Sequence, residues 1–199
     1  MLEEIERLKE LHSEFLQSQI NAFLAIYRLN KLDRQLSKKI FKHTSLCSSL
    51  LVHVEDEDQI AFAAEKVTNM FTLVLPNQSE IALASKMEPI FAKRFDNPDL
   101  DSAIKLYANA QLKALVAVHR AVCINHKRAA MLFGLDKETI ATLQHMTSSQ
   151  ALDVANNFSF VFVLNFKINK NIIADSLKHA SESSLYTDSA VIYTYGENV

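Results

Sequence analysis

The chain has 199 residues, 49% of them apolar and 22% charged, enough to bury a core and too apolar for wholesale disorder. A net charge of −2 and a pI near 6.4 argue against nucleic acid or an anionic membrane surface as the main partner. Two cysteines, Cys47 and Cys123, make no disulfide framework, and no apolar run reaches the roughly 18–20 residues of a spanning helix. The opening MLEEIERLKEL is an amphipathic pattern unlike a signal peptide, so a cytoplasmic location without membrane insertion is expected.

Apolar residues Ile5, Leu8, Leu11, Phe15, Ile20, Phe23, Leu24 and Tyr27 recur at three- and four-residue spacing, which predicts one long helix. Neither glycine nor proline interrupts the first 75 residues, and the pattern resumes after a break at Leu32, Leu36 and Ile40. Thr44 offers a cap for a helix over 45–53, and Glu55-Asp56-Glu57-Asp58 opens the next one, where acidic residues suit the positive helix end. Residues 69–75 form a β-rich run stopped by Pro76, and 77–98, punctuated by Pro89 and Pro98, read as a linker. Asp99 or Asp101 is expected to start a long helix reaching about Met131, with Gly134 ending it and Asp136 capping its successor. Short strands are expected near 70–75, 160–166 and 190–195.

The two halves align. Ser18 to Arg28 matches Ala110 to Arg120 without a gap, and Phe41, Leu51 and His53 fall opposite Phe133, Leu143 and His145. After one residue of slippage in the acidic turn, Gln59, Ala64, Phe71 and Leu73 fall opposite Gln150, Ala155, Phe162 and Leu164. Two amphipathic stretches can always be slid into partial agreement, but here one nearly constant offset covers helix, loop, helices and strand. The expected fold is therefore mainly α, with two related helical subdomains arranged as a pseudo-dimer and a few short strands. The domain reading is 1–76 for the first repeat, 77–98 for the linker, 99–180 for the second repeat and 181–199 for a tail.

The second half carries Ala130-Met131-Leu132-Phe133-Gly134-Leu135-Asp136-Lys137-Glu138, then Leu143, Met146-Thr147, Gln150, Ala155 and a strand ending Leu164-Asn165-Phe166. This resembles the D subunit of the flagellar master transcriptional activator (FlhD). Gly134 suits a left-handed C-cap, Asp136 and Thr147 are N-cap types, and Thr147 with Gln150 has capping-box spacing. Asn165 stands where that family usually has arginine, Phe162 where it often has cysteine, and no match continues beyond Asp175. The resemblance implies a helical regulatory subunit that pairs with like and unlike chains. It does not carry over DNA contacts.

Three chemical constellations stand out. His119, Cys123 and His126 share one face of a continuous helix and are zinc-ligand types, but no CxxC knuckle accompanies them and helical His and Cys often simply pack. No metal or cofactor is assigned. Lys31, Arg34, Lys38 and Lys42 form a basic stripe flanked by Arg28 and Lys39, suited to an acidic partner or a phosphate backbone, although such a stripe is usually a solvated helix face. Phe91, Phe95, Val191, Ile192, Tyr193 and Tyr195 lie outside the aligned repeats with no obvious internal partner, so an exposed apolar groove or edge is expected there. The run 190–195 suits either an edge strand beside 160–166 or a segment awaiting a partner strand.

No phosphate loop, nucleophile elbow, HExxH or paired carboxylates in an apolar setting occurs, and Glu55–Asp58 lacks a calcium loop's spacing. The function expected is a non-enzymatic, protein-binding regulatory or adaptor subunit of a heteromeric bacterial complex, akin to a transcriptional co-regulator. The alternative is an adaptor or chaperone subunit of a secretion system. The chain alone is expected to bind duplex DNA weakly, because no compact basic surface is combined with base-reading residues.

Overall fold

A computed structural model describes residues 2–40, 51, 54, 56–67, 70–88, 95–158 and 161–164. The chain is mainly α. The elements among these residues are α1 (Leu2–Leu32), α2 (Arg34–Ile40), α3 (Glu57–Lys66), β1 (Phe71–Leu73), α4 (Gln78–Leu83) with a 3₁₀ turn (Ala84–Lys86), α5 (Pro98–Phe133), α6 (Lys137–His145), α7 (Ser148–Asn157) and β2 (Phe162–Leu164).

The two long helices form the centre. Leu8, Leu11, Phe15, Phe23, Ile26 and Leu29 of α1 are buried, as are Ile104, Leu115, Val118 and Val122 of α5. Glu4 near the start of α1 accepts hydrogen bonds from Asn125 and Arg128, whereas Arg28 near its end shares a groove with Ser102 and Lys105. The two helices therefore run antiparallel, and their packing is the most extensive among the described elements.

Each long helix breaks at an Asx residue. Asp33 separates α1 from α2, and its carboxylate accepts from the backbone N–H of Leu36 at 2.8 Å. Asn125, with φ −157° and ψ 97°, interrupts α5, and its side-chain oxygen accepts from the N–H of Arg128 at 3.1 Å. In both, a short polar side chain competes for an amide that the helix would otherwise use, and a new helical turn begins behind it.

The local caps follow the sequence closely. Gly134 takes a left-handed conformation at φ 60°, open to glycine without Cβ strain, and ends α5. Asp136 caps α6, and Thr147 with Gln150 forms a reciprocal capping box on α7. Asn97 rather than Asp99 or Asp101 caps α5, with Pro98 in its first turn.

The segment read as a linker is structured in part. Asn77 and Glu80 form a capping box on α4, and Ile81 and Ala84 are buried in the common core. The carboxamide of Asn157 on α7 donates to the carbonyl of Ala84 at 2.6 Å, which fastens this connection to the second half. Proline punctuation signals chain direction, not absence of packing.

Strands β1 and β2 pair antiparallel, with Phe71 opposite Leu164, Thr72 opposite Val163 and Leu73 opposite Phe162. The elements flanking them recur at one offset. Helix α3 and helix α7 have ten residues each and start 91 residues apart, as do the two strands. Asp56 accepts from the N–H of Gln59, and Thr147 accepts from that of Gln150. Both helices close with the N–H of the C-cap residue, Val67 or Phe158, bonded four residues back.

Candidate interaction surface

The strand pair is held by two buried glutamines. Gln19 on α1 accepts from the N–H of Phe71 at 3.0 Å. Gln111 on α5 accepts from Val161 at 2.9 Å and from Phe162 at 3.3 Å. Both side chains sit at 0% exposure. Backbone amides on the outer side of a two-stranded ribbon have no ladder partner, so a helix side chain supplies it. Gln19 and Gln111 are 92 residues apart and their strands 91 apart, so exchanging the halves leaves the pairing unchanged about Thr72 and Val163.

The rings complete this centre. Phe162 stacks on Phe71 at 4.8 Å and meets Phe15 edge-on at 5.4 Å, and Phe15 meets Phe133 at 5.1 Å. His12 meets Phe133 at 5.6 Å, and burial lowers its imidazole pKa below the ordinary 6.5. The sign follows from linkage. The unfolded chain takes up the proton first as pH falls through 6.5, so folding stability drops from there down to the native pKa. Urea midpoints at pH 7.5 and 5.5 are expected to show a loss on acidification that shrinks in His12→Phe. An unchanged pH difference in that variant removes His12 as the cause.

The sequence-derived site residues are scattered. Lys31 and Arg34 are exposed on either side of the Asp33 break, with the Lys31 ammonium 4.5 Å from the Tyr27 ring centre. The side chain of Lys38, and all of Lys42, Phe91, Val191, Ile192, Tyr193 and Tyr195, lie outside what the structure describes. Phe95, read from sequence as lacking an internal partner, is half-buried against the common core. Exposed large apolar side chains among the described residues include Leu83, Met87 and Leu152, around α4 and α7, and Val74 just after β1.

Arg28, flanking the basic stripe, makes a two-pronged contact with Glu57, Nε to Oε1 and Nη2 to Oε2, both at 2.7 Å. That hydrogen bonding, with smaller Coulomb contributions from Arg28 and then Lys31, holds the Glu57 carboxyl below its usual range. With side chains 42% and 45% exposed, the pair orients α3 on α1 more than it stabilises the fold. Beside it lies an open groove lined by Pro98, Ser102, Lys105, Leu106 and Asn109, where Lys105 is paired with Asp101.

The proposed histidine–cysteine face does not form. The break at Asn125 separates His126 from the turn that carries His119 and Cys123, so the one-face argument for a continuous helix fails. His119 is buried with Nε2 2.8 Å from the carbonyl of Met146, and Cys123 Sγ lies 3.8 Å from the same nitrogen. Its task is to tie the end of α6 to α5. Among the described residues no cluster of three or more His, Cys, Asp or Glu is arranged to hold a metal ion. Likewise no described helix is long and apolar enough to cross a membrane.

Sequence reasoning placed Gln19 opposite Gln111 but assigned neither a role. The available signal was a carboxamide at the same register of both apolar helix faces, where burial demands a partner.

No protein-family model, curated protein or solved structure matches the chain.

Proposed function

We propose that the chain is a fused pseudo-dimer of one helical unit and acts as a non-enzymatic, protein-binding regulatory subunit, FlhD-like in kind. The observation that supports this reading best is the pair of glutamine anchors, Gln19 on Phe71 and Gln111 on Val161 and Phe162. A unit whose strand and long helix both pair across a two-fold axis is built to associate with its like. Fusing two copies makes that association intramolecular, at high effective concentration, and frees the two halves to diverge. The divergence is visible at Arg28 and Glu57, whose places in the second half are taken by Arg120 and Ser148. Buried polar side chains of the centre, Gln111, His119 and Asn157, are bonded to backbone groups, an architectural use.

The test is affinity isolation of the tagged full chain from its own cells, followed by size-exclusion chromatography of the recovered complex. One protein partner at fixed stoichiometry is expected, and duplex DNA is retained by the complex and not by the chain alone. Nanomolar, sequence-selective DNA binding by the purified chain at physiological salt defeats this reading. So does elution as a free monomer from every growth condition.

A further inference from the structure

The two halves are anchored unequally. Around β2, Gln111 uses its whole carboxamide: the oxygen accepts from Val161 and Phe162, and the nitrogen donates to the carbonyls of Ala155 and Phe158 at 2.8 and 2.7 Å. Tyr107 adds a hydroxyl donated to the carbonyl of Phe162. The same nitrogen of Gln19 is buried without a hydrogen-bond partner, leaving one bond, from Phe71. At the place of Tyr107 the first half has Phe15, 92 residues earlier, whose ring is engaged with Phe133 and Phe162 and has no hydroxyl to give. The second half therefore ties α7, Phe158, Val161 and β2 to α5 at five buried points, while β1 is tied to α1 at one, and the two-pronged Arg28–Glu57 contact that joins α3 to α1 is half-exposed and contributes little.

From this asymmetry we infer that α3 and β1 form a displaceable lobe that opens before the rest of the molecule. The seam is the ribbon itself. Once β1 leaves, the inner edge of β2 is bared, including the Val161 carbonyl that receives the N–H of Val74, together with the rings of Phe71 and Phe162. Local opening follows the weakest set of contacts, and the two strands share one ladder, so the helix anchors decide which side moves. An opened state of this kind extends the protein-binding reading but does not depend on it.

Native-state hydrogen exchange on the full chain tests the inference directly, with residues 57–73 compared with 148–164. Amides of the first stretch are expected to exchange at least about tenfold faster, the scale of two or more lost hydrogen bonds. Phe15→Tyr, which offers Phe71 the hydroxyl, is expected to slow the first stretch, and Tyr107→Phe to speed the second. If Phe15→Tyr does not fold, Tyr107→Phe and Gln111→Ala carry the comparison. Equal exchange in the two stretches overturns the inference. An acceleration by Tyr107→Phe and Gln111→Ala that appears in the first stretch instead of the second overturns it as well.

Discussion

Gln111→Ala is expected to lower the unfolding free energy by about 3–4 kcal/mol, whereas Gln19→Ala lowers it by roughly half as much. The difference lies in what each truncation leaves behind. Removing the Gln111 carboxamide strands two backbone amides, Val161 and Phe162, and two carbonyls, Ala155 and Phe158, in the buried interior. Removing Gln19 strands the single amide of Phe71 and eliminates a carboxamide nitrogen that is already unpaired. Urea unfolding followed by circular dichroism measures both. Equal losses in the two variants contradict the bonding described, even if each loss is large.

Phe162→Ala is expected to cost about 3–5 kcal/mol, the range for emptying a phenylalanine site in a packed core. The side chain is fully buried, stacks on Phe71 across the ribbon and meets Phe15 of α1, so one cavity touches both halves. Its partner across the offset, Phe71, is equally buried and stacked on the same ring. The two losses are therefore strongly coupled, and the double variant is expected to cost less than the sum of the singles. A double-mutant cycle by urea unfolding checks this, and strict additivity places the two rings in separate environments.

Much of the local structure was legible in the sequence because neighbouring residues encode it. The spacing from Leu8 to Tyr27 specifies the buried face of α1, whereas the break expected ahead of Leu32 falls one residue after it, at Asp33. Gly134, Asp136 and the Thr147–Gln150 pair each act within a few residues of themselves, and each cap stands where it was expected. The strands fall inside the two β-rich runs, at Phe71–Leu73 and Phe162–Leu164.

Other features were settled by contacts that no local pattern carries. Asn125 has a perfectly helical neighbourhood in sequence, yet its carboxamide reaches the N–H of Arg128 and the carboxylate of Glu4, and this turn carries His126 away from His119 and Cys123. The chain between the halves folds onto α7 because Asn157 finds the carbonyl of Ala84, 73 residues away. Phe95, apparently unpartnered, finds the core in the same way.

By itself the sequence determined a mainly helical chain and the caps at Gly134, Asp136 and Thr147. Only the tertiary structure decided that β1 and β2 pair with each other, and that Gln19 and Gln111 hold them. The reason is range. A cap or an apolar stripe is satisfied within one or two helical turns, so its residues announce it. A buried carboxamide is satisfied by a backbone amide 50 or 52 residues distant, and nothing beside it in the chain says which.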